Sequence, residues 1–147
     1  MKDLLESIKH HEGFVEHVYD DSLGIPTIGY GFAIKDLELE EDLCEEILFR
    51  KLRTLSASVI GKFPFFDYLP SDCKDVLMEM CYQLGVTGVS KFKKALKAME
   101  DGDWEKAADE MLDSKWAKQT PNRAKELSNI VRSLHEEKSS KKGNSNT

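Results

Sequence analysis

The sequence predicts an α+β protein in which a small antiparallel sheet is joined by one long helix to a mostly helical remainder. Strand formers flank an Asp-Asp-Ser-Leu-Gly turn between Phe14 and Gly31, and apolar residues recur at helical spacing from Leu39 to Ile60. Beyond Ser71, several stretches open on cap-forming residues and carry apolar positions three and four apart. A chain of 147 residues suits one domain with a sizeable core, because such a length buries about 68–70% of its unfolded surface.

Taken in order, Leu4, Leu5 and Ile8 give residues 2–11 the apolar face of a short helix. Glu12 falls at its end, and Gly13 stops it by taking a left-handed conformation without steric cost. Phe14, Val15, Val18 and Tyr19 read as a strand, Asp20 to Gly24 as a turn, and Ile25 to Gly31 as the returning strand. Pro26 lies near the beginning of that strand, where a missing N–H is tolerated. Leu39, Leu43, Ile47, Leu48, Leu52, Leu55 and Val59 then mark the long helix over 39–60. The acids at its start, Glu38 to Glu46, read as a solvated face that favours a helix N-terminus.

Residues 61–70, with Phe63, Phe65, Phe66 and Tyr68, form an aromatic connector. Ser71 is expected to cap a helix to Leu84, and Gly85 and Gly88 to break the chain. Helices follow over 91–99 and 104–113, the second capped by Asp103, and a last one begins with Thr120 as N-cap and Pro121 at its first position. That helix should end near Leu134, because residues 135–147 hold no apolar side chain and read as a disordered tail. The domain thus spans 1–134: a β lobe over 12–38, a linking helix over 39–60, and a helical lobe from 1–11 and 61–134. A cleft between two such lobes is a usual place for a ligand.

Composition limits the function. Net charge is −6, with −7 on residues 1–60 and +1 on the rest, so a polyanion such as nucleic acid would be repelled from the acidic part. Cys44, Cys73 and Cys81 are odd in number and lack metal-ligand spacing, which points to reduced thiols. His10, His11, His17 and His135 form no pair with ligand spacing, so no metal and no cofactor is expected. The first fourteen residues mix acids and bases without the apolar core of a secretory signal, so the chain is expected to stay where it is made until something releases it.

The chemistry concentrates between Glu12 and Gly31. Glycoside hydrolysis needs one carboxyl to protonate the leaving oxygen and a second, ionised, to attack or to activate water. Glu12 and Asp21 can supply both, although paired carboxylates alone equally describe a surface Glu, a turn Asp and a structural Thr27. Gly29 and Gly31 leave a surface without side chains, where a sugar or another backbone could approach.

A Glu, eight residues, an Asp, five residues and a Thr is the active-site spacing of the phage-type lysozymes, glycoside hydrolase family 24, and Glu12, Asp21 and Thr27 reproduce it. Tyr19, Gly24 and Ile28 to Gly31 fit the same pattern, as do Gln83 to Gly88 and Trp116 to Ala124 downstream. The chain therefore resembles that family over residues 3–134, with two departures: Phe32 stands where many relatives carry His, and the chain is acidic around the proposed site where relatives are often basic.

The resemblance implies a lysozyme-like fold and a muramidase of the endolysin type, cutting the β-1,4 bond between N-acetylmuramic acid and N-acetylglucosamine in bacterial peptidoglycan. Glu12 would be the general acid, with Asp21 and Thr27 holding the attacking water. Inversion requires the two carboxyls about 6.5–9.5 Å apart. Gly31, Gln83, Trp116 and Arg123 would contact the glycan strand, although Trp116 is equally readable as core and Arg123 as a structural ion pair. A monomer is implied, made in the host bacterial cytoplasm and reaching the wall after a membrane-permeabilising holin opens the way. A non-catalytic peptidoglycan-binding or virion structural module of the same fold, and a transglycosylase, are the alternatives. Intact Glu12, Asp21 and Thr27 weigh against the first, and Asp21 against the second.

Overall fold

The computed structural model describes residues 1–144, with side chains described through Leu134. The fold is α+β: seven helices among the described residues and one three-stranded antiparallel sheet, as the sequence predicts. The chain divides into two compact units, Met1–Glu46 and Ile47 onward. The opening helix, expected in the helical lobe, belongs to the first unit.

Helix α1 spans Lys2–Glu12 and ends where Gly13, at φ 70°, donates its N–H to the Lys9 carbonyl. Strand β1 (Val15–Asp20) pairs with β2 (Pro26–Gly29), Tyr19 opposite Thr27 and Asp20 opposite Pro26, with a register irregularity between Val15 and Tyr19. The expected returning strand is shorter than 25–31. Gly29 (φ 71°) and Gly31 (φ 74°) turn the chain back, and β3 (Phe32–Ala33) becomes a third strand that pairs with β2. Thr27 lies in the central strand and is the one buried residue of this unit among those described.

Helix α2 (Glu41–Lys62) carries the chain into the second unit. Of its predicted apolar face Val59 is buried and Leu52 and Leu55 are half-buried, all in its C-terminal half, whereas Leu43, Ile47 and Leu48 are exposed. In the second unit, α3 (Ser71–Ser90) bends at Gly85, whose φ of 80° and ψ of 156° are not helical. The expected break at Gly85 is therefore present, while Gly88 lies within the helix that resumes. Ser71 does not cap α3. It is the first helical residue, and the N-cap position belongs to Pro70, which offers no side-chain acceptor.

Helices α4 (Lys93–Asp101) and α5 (Trp104–Leu112) follow, with Asp103 accepting from the Lys106 N–H at 3.3 Å as predicted. A short α6 (Lys115–Gln119) was not expected; Ser114 caps it by accepting from the Ala117 N–H at 3.1 Å. Thr120 then closes α6 by donating its hydroxyl to the Trp116 carbonyl at 3.1 Å, and α7 (Pro121–Asn144) follows directly. Helix α7 runs ten residues past Leu134. The expectation of a tail read the absence of apolar residues as absence of structure, but Glu and Lys are strong helix formers and can prolong a helix without a packed face. Residues 145–147 of that expected tail lie outside the described residues. No helix among the described residues is long and apolar enough to cross a membrane.

The buried apolar core belongs to the second unit, running from Val59 through α3, α4, α5 and α6 to Leu134 on α7. Leu77, Met99, Met111 and Val131 lie within it at 2% exposure or less. Leu77→Ala is expected to cost about 2–5 kcal/mol, the transfer term plus a residual cavity, measured as a shift in urea midpoint at unchanged slope. Cys73 and Cys81 are buried, and burial pushes their thiols up to about 12 and about 11, so they stay protonated at neutral pH. Cys44 differs in being exposed.

Candidate active site

Four of the predicted residues, Glu12, Asp21, Thr27 and Gly31, belong to the first unit, where Glu12 meets Gly31 and Asp21 meets Thr27 through Ile25. Glu12 is the last residue of α1 and is exposed. Its carboxyl group lies against the backbone of Gly31: a Cβ added there would fall 2.9 Å from Cδ of Glu12 and still closer to Oε2. The glycine is thus needed twice, for its positive φ and for this approach. The sequence marked Gly31 as a bare surface open to a sugar; what approaches it in the structure is the Glu12 carboxylate.

Asp21 opens the turn between β1 and β2. Its Oδ1 accepts from the N–H groups of Leu23 at 2.8 Å and Ile25 at 2.9 Å, while its own N–H donates to the Ile25 carbonyl at 3.0 Å. Side chain and backbone together close the loop, as Asp does in turns generally. Among the described residues Oδ2 accepts no hydrogen bond, so one carboxylate oxygen remains for a water. Thr27 donates its hydroxyl to the same Ile25 carbonyl at 2.8 Å. A carbonyl can only accept, so the Thr27 proton is committed and the lone pairs on Oγ1 are free to receive a hydrogen bond. Ile25, which nothing in the sequence singles out, is the backbone link that fixes Asp21 and Thr27 to each other.

The turn-closing role of Asp21 and the water-holding role that the family resemblance implies can be separated experimentally. Asp21→Asn keeps an Oδ1 acceptor, so thermal stability should stay near wild type while hydrolysis falls by about 100-fold or more with the anionic oxygen gone. Asp21→Ala should lose the same activity and also about 1–2 kcal/mol of stability, because two turn N–H groups lose their acceptor.

The other predicted residues belong to the second unit. Trp116 is 3% exposed, and its indole N–H donates to Gln83 Oε1 at 2.9 Å, so the two are partners to each other. Phe92 packs edge-on against Trp116, ring centres 6.0 Å apart. Trp116 is therefore a core residue that also borders an open cavity of about 530 Å³, with Leu84, Lys91, Phe92, Lys115 and Gln119 among its walls. Arg123 uses Nε to hold Glu79 Oε2 at 2.8 Å, an ion pair between α7 and α3; among the described residues its terminal guanidinium nitrogens make no hydrogen bond. Glu79 went unnoticed in the sequence because 44 residues separate it from Arg123 and it belongs to no spaced motif itself.

Two further features of the first unit were also missed. Tyr30 packs against Phe14 with ring centres 5.4 Å apart, and the Lys9 ammonium lies 5.7 Å from the Tyr30 ring centre. No group of three or more His, Cys, Asp or Glu among the described residues could hold a metal ion.

Comparison with known proteins shows the family. Residues 9–137 match the family model described as phage lysozyme. Among relatives, "Probable T4-type lysozyme 2" of Dictyostelium discoideum is 30% identical over 159 aligned residues, covering 88% of this chain and 94% of its own length. "Probable T4-type lysozyme 1" of the same organism is 29% identical over 160, covering 89% and 92%. The pre-baseplate central spike protein Gp5 of Enterobacteria phage T4 is 31% identical over 158, covering 87% of this chain and 27% of the spike protein.

Proposed function

The chain belongs to the phage lysozyme family, and from that premise we propose that it is a muramidase, hydrolysing the β-1,4 bond between N-acetylmuramic acid and N-acetylglucosamine in peptidoglycan with inversion. The observation that carries the reading is the set Glu12, Asp21 and Thr27, at the family's spacing, held in one compact unit by Gly31 and the Ile25 backbone.

In this mechanism Glu12 donates its proton to the leaving glycosidic oxygen. A water donates one hydrogen bond to Oδ2 of Asp21 and the other to Oγ1 of Thr27, which leaves its lone pair for the anomeric carbon. As the C–O bond to the leaving sugar breaks, that water attacks from the opposite face and its proton passes to Asp21. Each cut consumes one water and returns a reducing muramic acid of inverted configuration. Gln83, whose amide N–H groups donate no hydrogen bond among the described residues, and Arg123, through its terminal nitrogens, are proposed contacts for the glycan strand.

The proposed setting is phage-mediated host lysis, with the enzyme made in the host cytoplasm and admitted to the wall by a membrane-permeabilising protein. The match to a segment of a phage spike protein favours a second setting, a virion-borne module with the same reaction. Purified peptidoglycan incubated with the protein should release new reducing ends in proportion to enzyme and time. A rate no higher than that of buffer would remove the enzyme reading and leave a binding module.

A further inference from the structure

Glu12 can act only while the turn carrying Gly31 stays against it; the β2–β3 pairing closes that turn on itself but does not tie it to the end of α1. Gly29 and Gly31 lack side chains and both adopt positive φ, at 71° and 74°. Of the three residues Gly29 to Gly31, Tyr30 alone has a side chain with which to grip the rest of the unit. Its ring grips on both sides of Glu12 in the chain: Phe14, two residues after, at 5.4 Å between ring centres, and Lys9, three before, with the ammonium 5.7 Å from the ring centre. Lys9 is steadied by Glu6 at 3.5 Å, and Phe32 meets the ring edge-on at 6.4 Å. Aromatic pairs and a cation over a ring each favour a defined geometry.

We propose that Tyr30 is a positioning residue for the general acid, stapling the Gly-Tyr-Gly turn to the end of α1 so that the backbone of Gly31 fixes the rotamer of Glu12. The inference rests on the muramidase reading. It predicts an effect on turnover rather than on substrate binding, because Tyr30 acts on the placement of Glu12.

The test compares Tyr30→Ala, Tyr30→Leu and Tyr30→Phe with wild type on soluble peptidoglycan fragments, with melting temperatures measured alongside. Tyr30→Ala should lower kcat by about 10-fold or more with KM within about twofold, since a displaced catalytic group weakens the chemical step. Tyr30→Phe, which keeps the ring face, should restore kcat to within about threefold. Tyr30→Leu keeps apolar bulk without a flat face and should remain slow while melting near wild type, so the result stands even where the alanine variant fails to fold.

Phe14→Ala combined with Tyr30→Ala should be less than multiplicative in kcat, because both remove one staple. Full kcat in folded Tyr30→Leu, or a loss confined to KM, would overturn the proposal. Inactivity of the wild type would instead overturn the muramidase reading itself, so the two failures are distinguishable.

Discussion

Glu12→Gln should abolish hydrolysis while leaving the fold intact. The substitution is nearly isosteric, and Glu12 is an exposed residue at a helix end, so stability should change by no more than about 0.5 kcal/mol. Catalysis has no such tolerance. An amide cannot deliver a proton to a departing sugar oxygen, and general acid catalysis is worth about 100- to 10,000-fold. Reducing-end release should therefore fall by at least two orders of magnitude while the melting curve overlays that of wild type. Retained activity in Glu12→Gln would show that the proton donor lies elsewhere.

Gly31→Ala tests the same site from the opposite side. At φ 74° an L-residue carries a backbone cost of about 1–2 kcal/mol. The new Cβ would also overlap the Glu12 carboxyl group, 2.9 Å from Cδ. The atoms in its way belong to the far end of a flexible, exposed side chain, which can swing aside at small cost to folding. The result should be a modest loss of stability, about 1–2 kcal/mol, with a fall in kcat of about 100-fold, the size expected when a catalytic group is misplaced by about 1 Å. Equal loss in stability and activity would mean that Gly31 serves only the turn.

The features legible in the sequence were those with local causes. Gly13 ended α1, the Asp-Asp-Ser-Leu-Gly turn set the hairpin, Asp103 capped α5, and Gly85 bent α3, each by its own conformational or hydrogen-bonding preference. Illegible features depended on partners distant in sequence or on very short elements. Strand β3 has two residues and α6 five, too few for any periodicity to register.

The hydroxyl of Thr120 donates to a carbonyl of α6, a helix too short for the sequence to announce. The 135–144 stretch shows that lacking a packed face is different from lacking helix propensity. In the candidate site, residue types and spacing pointed to Glu12, Asp21 and Thr27. Their fastening, by the Ile25 backbone and the close approach of Gly31, is visible only in three dimensions.

The most direct measurement of the central claim is the product formed when purified peptidoglycan is digested in oxygen-18 water. Hydrolysis by Glu12 with a water held on Asp21 and Thr27 predicts one heavy oxygen at C1 of every new N-acetylmuramic acid end, released first as the α-anomer. Anhydro-muramic ends without label, or label appearing first in the β-anomer, would contradict it.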